Sequence, residues 1–515
     1  MGQELQLRKS WQEWPEDEAF RQGLARLLPA YLLHCRWYGG KARVIRSLEF
    51  LYVMPWEAGG LLSCFLILKL LYEDGKVVFY QLPLALVPES VPDEECMARV
   101  RHDGQLYHLT EALHLAAFRT RLLYAIGQKA VYHSADLTLR FYPSSLFPHG
   151  MKPSGQSREL HVDQSNSSLI LEDRFFFKLY RKVDYEINPD LEISRFFTEK
   201  TDFRHFPAFM GGVELQKAGH PPIVLGMMVE KVENKGDSFT LMTAGIRRTL
   251  RRWQEEEQRG RLPGAELKET LALLGERTAE MHLALGSGKE EAFRPEAFDS
   301  SYRIGYFQRL EELVARRISL ANRRRQGYPP AVQEELTFFE THREDILNTF
   351  RQLKEMKTDG LRIRIHGDYH LGQLLWTGSD FIILDFEGEP ESSISARKLK
   401  HSALKDLAGM IRSFHYALYA VLLFDEKQEF TGIPPETGHQ LYEYLTENYL
   451  NAYFRAMGNS KLLPSDPQIC RQLLHIHTLE KAVYELGYEL NGRPDWALIP
   501  LRGIHYLIRQ KNQQA

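Results

Sequence analysis

The chain of 515 residues is close to electrically neutral, with 65 basic and 68 acidic side chains and a formal net charge of −3. This balance argues against a general nucleic-acid or anionic-membrane binder, which would carry an excess of basic residues. The length predicts two or three domains, because single cores seldom exceed about 250–300 residues. The cysteines, at positions 35, 64, 96 and 470, form no CxxC pair. We therefore expect a reducing, cytoplasmic setting without a disulfide frame or a zinc site.

The first 130 residues predict a small module of helices and strands. An amphipathic helical pattern surrounds Phe20 and Leu24, and Pro29 is predicted to start a further helix. Two apolar runs, 61–72 and 77–86, flank a Glu-Asp-Gly turn and predict a β-hairpin. The first run contains Lys69 and is too short to span a bilayer, so a buried strand is expected. We find no catalytic motif in this module.

Residues 131–232 predict a second, β-rich section. A strand at 175–180 contains Lys178, and Asn188 is predicted to cap a helix that carries Glu192. A strand lysine followed by a helix glutamate is typical of sites that grip nucleotide phosphates, whereas an isolated lysine here would be a solvated strand residue. The turn at 164–168, Gln-Ser-Asn-Ser-Ser, lacks a GxGxxG pattern. It could cradle phosphates with backbone N–H groups or be an ordinary hairpin, and the sequence leaves both open.

Residues 233–515 predict a mainly helical section interrupted by the block IHGDYHLGQLLWTGSDFIILDFEGEP at 365–390. Asp368 lies in a His-Gly-Asp turn, Gln373 follows five residues later, and a short apolar strand leads into Asp385. Phosphoryl transfer needs a base that orients the attacking hydroxyl and oxygen ligands for Mg²⁺. Gly-Asp alone is ordinary turn chemistry. The combined spacing favours a phosphotransferase site with Asp368 as the base and with Gln373 and Asp385 as metal ligands.

Two other helical segments are informative. His282 is expected to be a packed structural residue, and Asp406 a helix cap that also anchors the catalytic loop. Near the C-terminus, four residues fall on one helical face: Lys481, Tyr484, Glu485 and Tyr488. They fit either a Lys–Glu pair with aromatic core contacts or a platform for a sugar, and the residues alone favour the first interpretation.

Several motifs resemble the maltokinase family: RWYGGKAR at 36–43, NPDLEI at 188–193, RTAEMHLAL at 277–285, HGDYHLGQ at 366–373, DFEGEP at 385–390, DLAGMIRSF at 406–414, and the C-terminal KAVYE, RPDW and IPLRGI. This family has an aminoglycoside-phosphotransferase-like, protein-kinase-like fold and is often fused to trehalose synthase. The resemblance implies an α+β two-lobed fold with an N-terminal cap. The expected domains are a cap at 1–130, an N-lobe at 131–232 and a C-lobe at 233–515.

The resemblance also implies ATP- and Mg²⁺-dependent phosphorylation of maltose at its anomeric hydroxyl, giving maltose 1-phosphate for α-glucan (glycogen) synthesis. Lys178 would bind the phosphates, Glu192 would position it, and the C-terminal helical face together with Arg502 would line the sugar pocket. The remaining predicted nucleotide contacts are Ser165, Asn166, Ser167, Glu230 and Val232. The remaining predicted substrate contacts are His366, His370 and Glu387.

Other functions remain open at this point. The same fold could act on another sugar, an amino sugar or a choline-like acceptor, but Lys481 and Arg502 argue against a cationic one. A catalytically silent nucleotide- or sugar-binding module is disfavoured by the intact Asp368, Gln373 and Asp385. An association with trehalose synthase would need a separate chain, and the sequence leaves a monomer and a homodimer equally open.

Overall fold

A computed structural model describes residues 4–57, 60–160, 165–255, 264–390, 392–425 and 427–514 of the protein. The chain forms two compact units, one comprising Met1–Glu199 and Pro207–Val232, the other Lys200–Phe206 and Glu233–Ala515. Within the described ranges, no helix is both long enough and apolar enough to cross a membrane. The predicted boundary between residues 130 and 131, inside the first unit, stays a prediction.

The first unit is built mainly from strands. Its helices are α1 (Glu18–His34), α2 (Ala116–Gly127) and α3 (Pro189–Lys200). Its strands are β1 (Glu4–Leu7), β2 (Ile45–Pro55), β3 (Leu62–Tyr72), β4 (Val77–Val87), β5 (Cys96–His102), β6 (Gln105–Glu111), β7 (Val131–Ser134), β8 (Leu137–Pro143), β9 (Ser157–Leu160), β10 (Ser167–Leu171), β11 (Phe175–Leu179), β12 (Lys182–Val183), β13 (Phe209–Lys217) and β14 (Ile223–Glu230).

One sheet has the order β1-β5-β6-β4-β3-β2, with β12 alongside β4. The predicted hairpin is confirmed as β3–β4, and Gly75 takes the left-handed φ of +81° that its tight turn requires. Both faces of β3 are buried: Leu66 and Leu68 pack in the core beneath α1, whereas Phe65 and Ile67 join a core shared with the second sheet. Burial on both faces explains why this strand is a nearly continuous apolar run.

The second sheet is antiparallel, with the order β7-β8-β13-β14-β11-β10-β9. It holds Lys178 on β11, opposite Ser168 of β10 and Met227 of β14. The predicted cap of α3 is confirmed, because Asn188 Oδ1 accepts the backbone N–H of Asp190 at 2.9 Å. The helix start predicted at Pro29 is wrong. Pro29 lies inside the continuous helix α1, whose apolar face is held by the core of the first sheet.

The second unit is mainly helical. Its helices are α4 (Ser238–Gln254), α5 (Ala265–Leu285), α6 (Ser300–Arg324), α7 (Pro330–Thr341), α8 (Arg343–Glu355), α9 (Ile394–Arg397), α10 (Leu404–Leu423), α11 (Pro435–Met457), α12 (Pro467–Gly492) and α13 (Leu498–Gln514). Two short antiparallel pairs complete the unit: β15 (Glu296–Ala297) pairs with the distant β16 (Leu361–Arg362), and β17 (Leu374–Trp376) forms a hairpin with β18 (Phe381–Ile383).

The β17–β18 hairpin carries the end of the catalytic block and is fixed to α5. Arg277 of α5 makes two parallel hydrogen bonds to the carboxylate of Asp380, which precedes β18, both at 2.9 Å. Such a bidentate pair fixes orientation as well as distance. The hairpin therefore presents the residues that follow Ile383 in a defined direction.

Candidate active site

The predicted catalytic loop, which contains His366, Gly367 and Asp368, is anchored by one buried carboxylate. Asp406 accepts the backbone N–H of His366 at 2.8 Å and that of Gly367 at 2.9 Å, and His282 Nε2 lies 3.1 Å from it. Burial alone would raise the pKa of the Asp406 carboxyl, but these hydrogen bonds outweigh it and hold the pKa below its usual range. The predicted anchor is confirmed. The predicted helix cap is wrong, because Asp406 lies inside the first turn of α10.

His366 joins the catalytic loop to the segment that carries Asp385. Its Nε2 lies 2.8 Å from the carbonyl oxygen of Leu384, and its Nδ1 accepts the backbone N–H of Asp368 at 3.3 Å. The residue is only 1% exposed, and both ring nitrogens are engaged. The substrate contact predicted for His366 is therefore wrong, and the ring instead holds two loops at a fixed separation.

The proposed base is paired with a cation. Lys481 Nζ on α12 donates to Asp368 Oδ1 at 2.9 Å. Burial would raise the pKa of the Asp368 carboxyl, but the Lys481 ammonium outweighs this effect and the pKa lies below its usual range. Burial also lowers the pKa of His370, whose Nε2 is 3.8 Å from the other Asp368 oxygen. Asp368 is therefore held as an ionised carboxylate at neutral pH.

The two predicted metal ligands lie together. Asp385 follows β18 with a left-handed φ of +60°, and Gln373 Nε2 donates to its Oδ2 at 3.3 Å. The backbone N–H of Leu384 donates to the Gln373 carbonyl at 2.8 Å, which ties the two segments together. A carboxylate oxygen of Glu387 lies within 4.8 Å of one from Asp385. Glu387 thus lies beside the predicted metal ligands, and the substrate contact predicted for it stays a prediction.

A cavity of about 550 Å³ opens beside Asp368. Its volume is within the usual range for small-molecule sites. The predicted residues that line it are Asp368, His370, Lys481, Tyr484, Glu485 and Tyr488. Sequence reasoning missed further lining residues that come from distant elements: Phe239, Tyr416, Glu489, Arg493 and Trp496. The walls thus combine aromatic rings with a few charged groups.

On the predicted face of α12, Lys481 and Glu485 do not form the ion pair that the residues alone favoured. Lys481 bonds to Asp368, and Glu485 accepts from Arg412 Nε at 2.9 Å. Tyr488 is 60% exposed, so it is not a core contact. Tyr484 faces the Lys481 ammonium, with Nζ 5.0 Å from its ring centroid. The face is therefore turned towards the cavity, as a sugar platform requires.

Arg502 does not belong to this cavity. Its Nε lies 4.0 Å from a carboxylate oxygen of Glu335 on α7, its side chain is 39% exposed, and it is absent from the cavity walls described above. The predicted contact between Arg502 and substrate is wrong. The error arises because the IPLRGI motif is helical, and only tertiary packing decides which way its arginine points.

In the first unit, Asp190 contacts Lys178. Its Oδ2 lies 3.2 Å from Lys178 Nζ, and both side chains are buried. Sequence reasoning missed Asp190. Asp190 is the second residue of α3, between the buried Pro189 and Leu191, whereas Glu192 is partly buried. The role predicted for Glu192 stays a prediction.

Two side chains of the predicted phosphate turn contact Arg181. Ser167 Oγ accepts from Arg181 Nε at 2.8 Å, and Asn166 Oδ1 accepts the Arg181 backbone N–H at 3.4 Å. Both side chains thus already contact Arg181, and the nucleotide contacts predicted for Ser165, Asn166 and Ser167 stay predictions. Gln164 lies outside the described residues.

Strand β14 ends at Glu230, whose backbone N–H donates to the carbonyl oxygen of Ala208 at 2.9 Å. The nucleotide contacts of Glu230 and Val232 stay predictions.

Comparison with known proteins identifies two domains in the chain. Residues 31–114 match the maltokinase N-terminal cap domain, and residues 225–388 match the phosphotransferase enzyme family. A glucosamine kinase from Streptacidiphilus jiangxiensis is 22% identical over 365 residues, which cover 70% of this chain and 76% of that protein. A glucosamine kinase from Mycolicibacterium smegmatis is 23% identical over 356 residues, which cover 68% of this chain and 79% of that protein.

The fold is shared with a solved structure. Glucosamine kinase in complex with glucosamine, ADP and inorganic phosphate superposes with a TM-score of 0.63 at 18% identity, covering 94% of this chain and 98% of that chain. This likeness confirms the predicted kinase-like α+β fold with an N-terminal cap. One segment of the chain thus matches the maltokinase N-terminal cap domain and another matches the phosphotransferase family, which confirms the resemblance to the maltokinases.

Proposed function

We propose that the protein is an ATP-dependent kinase that phosphorylates maltose at its anomeric hydroxyl and releases maltose 1-phosphate and ADP. The observation that carries the proposal is the ionised Asp368, held by Lys481 at the wall of an aromatic-lined cavity of about 550 Å³. A cavity of this size accommodates a disaccharide. Aromatic side chains offer broad apolar faces to the C–H surfaces of a sugar, and charged groups at the rim bind hydroxyls.

The proposed reaction depends on positioning more than on base strength. The sugar oxygen forms a bond to the γ-phosphorus, the bond from phosphorus to the β,γ-bridging oxygen breaks, and the hydroxyl proton passes to Asp368. A carboxylate with a lowered pKa is a weak base, yet it orients a hydroxyl well. This suits a loose phosphoryl-transfer transition state, in which proton removal is not the main barrier.

Mg²⁺ fits the oxygen donors on the other side of the loop. Asp385 would hold it with a carboxylate and Gln373 with its amide oxygen, and both are ligand types that this ion accepts. When bound, Mg²⁺ neutralises charge on the phosphates. The contacts of His366 with Leu384 and Asp368 keep the base and the metal ligands at a fixed separation.

A neutral sugar fits the cavity better than a cationic one. The carboxylates in its walls are already paired, Glu485 with Arg412 and Glu489 with Arg493. Asp368 is neutralised by Lys481, whose pKa is raised because burial is outweighed by Asp368 and other carboxylates. An ammonium group on the acceptor would then meet a persistent positive charge beside the base.

An amino sugar is the second candidate acceptor. It is favoured by the names of the relatives and by the presence of Glu485 and Glu489 in the same cavity. To bind an ammonium, one of these carboxylates would have to leave its guanidinium partner. That cost makes the amino sugar the weaker candidate.

The test is a coupled assay of ADP release with ATP, Mg²⁺ and a panel of maltose, glucose, glucosamine and choline. We expect the highest kcat/KM for maltose. A higher value for glucosamine would establish the second candidate instead. Asp368→Ala should abolish turnover while ATP binding, measured by calorimetry, persists. Binding of ATP to the unmodified protein without turnover on any acceptor would favour a silent binding module.

Three further elements of the proposal depend on the resemblance to maltokinases: a cytoplasmic location, the use of maltose 1-phosphate as a donor for α-glucan synthesis, and an association with a separate trehalose synthase. Co-elution of the purified protein with a purified trehalose synthase tests the last of these. Independent elution at micromolar concentrations would count against it.

A further inference from the structure

The RWYGGK motif has no part in the proposed chemistry, yet its tryptophan contacts a buried arginine next to the nucleotide elements. We call Arg181, Glu111, Ser167 and Trp37 the Arg181 clamp. Arg181 is 1% exposed and Glu111 is 2% exposed. A buried guanidinium is costly unless its charge and its N–H groups are satisfied, so the surroundings of this arginine are tightly specified.

The clamp holds the guanidinium through three contacts, made by Nε, Nη2 and the central carbon, while the buried Nη1 has no hydrogen-bond partner among the described residues. Its Nη2 pairs with the Glu111 carboxylate. Its Nε and Nη2 donate to Ser167 Oγ at 2.8 and 2.7 Å. Its central carbon lies 4.4 Å from the centroid of the Trp37 ring, within the range of a cation–π contact. The side chain therefore has one defined position.

Trp37 and Glu111 belong to the cap domain, which spans residues 31–114. Tyr31 OH donates to Glu111 Oε2 at 3.1 Å and so fixes the carboxylate from α1. Gln81 of β4 makes two hydrogen bonds to the backbone at the arginine. Its backbone N–H donates to the Arg181 carbonyl at 2.8 Å, and its Nε2 donates to the Tyr180 carbonyl at 2.7 Å. The position of Arg181 is thus set largely by cap residues.

The other side of the clamp reaches two predicted nucleotide elements. Ser167 belongs to the predicted phosphate turn and is also the first residue of β10, where it pairs with Leu179 across the β10–β11 ladder. Lys178 lies on β11, three residues before Arg181. Any shift of Arg181 would therefore move the start of β10 and the end of β11 together.

We propose that the cap domain sets the affinity for ATP through the Arg181 clamp, with Arg181 as a positioning residue for the phosphate turn and for Lys178. This inference rests on the proposed function, because it assumes that these elements bind ATP. It assigns a task to the cap domain and to Trp37 that the reaction itself does not require.

The test compares Trp37→Leu, which removes the aromatic face, with Tyr38→Phe as a matched control in the same motif. Tyr38 is also buried, but its hydroxyl contacts Tyr72 at 3.1 Å and not the clamp. We expect Trp37→Leu to raise KM for ATP about five-fold, in the range of one lost cation–π contact, while KM for maltose changes less than about two-fold. Trp37→Phe should restore most of the affinity, and Tyr38→Phe should leave both values unchanged.

Glu111→Gln provides a second variant in the cap, and melting temperatures identify any variant that fails to fold. The inference is overturned if KM for ATP in Trp37→Leu equals that in Tyr38→Phe, or if KM rises equally for both substrates while kcat falls. Calorimetric titration with ATP separates this inference from the proposed function. If the unmodified protein binds ATP but phosphorylates no sugar, the proposed function fails, and the dissociation constants of the variants still decide the role of the clamp.

Discussion

The carboxylate of Asp406 accepts the backbone N–H of His366 from 40 positions further along the chain. His366 in turn contacts the carbonyl of Leu384, the residue before Asp385. A single buried acid on α10 therefore positions the base and, through one imidazole, the metal ligands. The consequence is that residues which touch neither substrate nor nucleotide should control turnover.

The first prediction concerns Asp406→Asn. An amide keeps the shape but has one acceptor oxygen, so one of the backbone N–H groups of His366 and Gly367 loses its partner. We expect kcat to fall at least about ten-fold and the free energy of unfolding to fall by about 1–3 kcal/mol, the cost of an unsatisfied buried donor. Steady-state assays and urea unfolding measure these changes.

Asp237→Asn is the matched control, since Asp237 also accepts a backbone N–H, from Thr240 at 2.9 Å, but at an exposed helix cap. It should cost well under about 1 kcal/mol and leave kcat unchanged. A wild-type kcat in Asp406→Asn would show that the loop does not need this anchor.

The second prediction concerns the pH dependence of activity. The pKa of Asp368 is held low because Lys481 outweighs the effect of burial, so kcat/KM of the unmodified protein should stay level as the pH falls through the usual aspartate range. In Lys481→Met, burial remains and the opposing charge is gone, so the pKa of Asp368 rises. The acidic limb of the pH profile, where kcat/KM falls as Asp368 gains a proton, should move to higher pH by about one unit or more.

The limb is measured as kcat/KM for maltose across a pH series. Arg493→Met serves as the control, because Arg493 pairs with Glu489 in the same cavity and does not contact the base. Its limb should stay at the wild-type position. If the limb of Lys481→Met also stays there, the ionisation that governs activity does not belong to Asp368.

Elements with strong local chemistry could be predicted from the sequence. The Glu-Asp-Gly turn of the β3–β4 hairpin and the Asn188 cap of α3 are fixed by neighbouring residues, and the structure has both. Gln373 and Asp385 were predicted to hold one metal ion from their spacing and from the apolar strand that leads into Asp385, and they lie within hydrogen-bond distance.

Predictions that depended on packing between distant segments were less successful. Asp190 and Glu192 are both plausible partners of a strand lysine, and the burial of Asp190 in the first turn of α3, where it contacts Lys178, depends on tertiary packing. Arg502 was assigned to the sugar pocket from a motif, but α13 directs it towards Glu335. The contact of Trp37 with Arg181 joins residues far apart in sequence, and no local pattern indicates it.

The third prediction concerns Gly409→Ala in α10. A Cβ atom at this position would lie 2.5 Å from the carbonyl oxygen of Tyr369, a backbone atom of the catalytic loop. Because a backbone carbonyl cannot rotate away, the loop or the helix must shift. We expect a loss of about 1–3 kcal/mol in the free energy of unfolding and a lower kcat, as for other overpacked sites.

Gly432→Ala is the matched control, because a Cβ there meets nothing within 4 Å. Its unfolding curve and kcat should match those of the unmodified protein. Equal stability and equal kcat in Gly409→Ala would mean that α10 does not constrain the loop through this contact.

The last prediction links stability to pH through Asp380. Burial would raise the pKa of its carboxyl, but the hydrogen bonds from Arg277 outweigh it and hold the pKa below its usual value. A lowered pKa in the folded state adds stability that is present above the usual aspartate pKa, near 3.9, and is lost as the pH falls through the lower folded value. Asp380→Asn should therefore cost about 1 kcal/mol near pH 7, a modest figure because the pair is partly exposed.

The difference in unfolding free energy between the unmodified protein and Asp380→Asn should shrink as the pH falls below about 4, since both then lack the charge. Asp202→Asn, at a fully exposed carboxylate 3.9 Å from Arg204, should show no such difference at any pH. A pH-independent cost for Asp380→Asn would assign its effect to lost packing. The two parallel hydrogen bonds to Arg277 would then hold the β17–β18 hairpin by shape, without a contribution from charge.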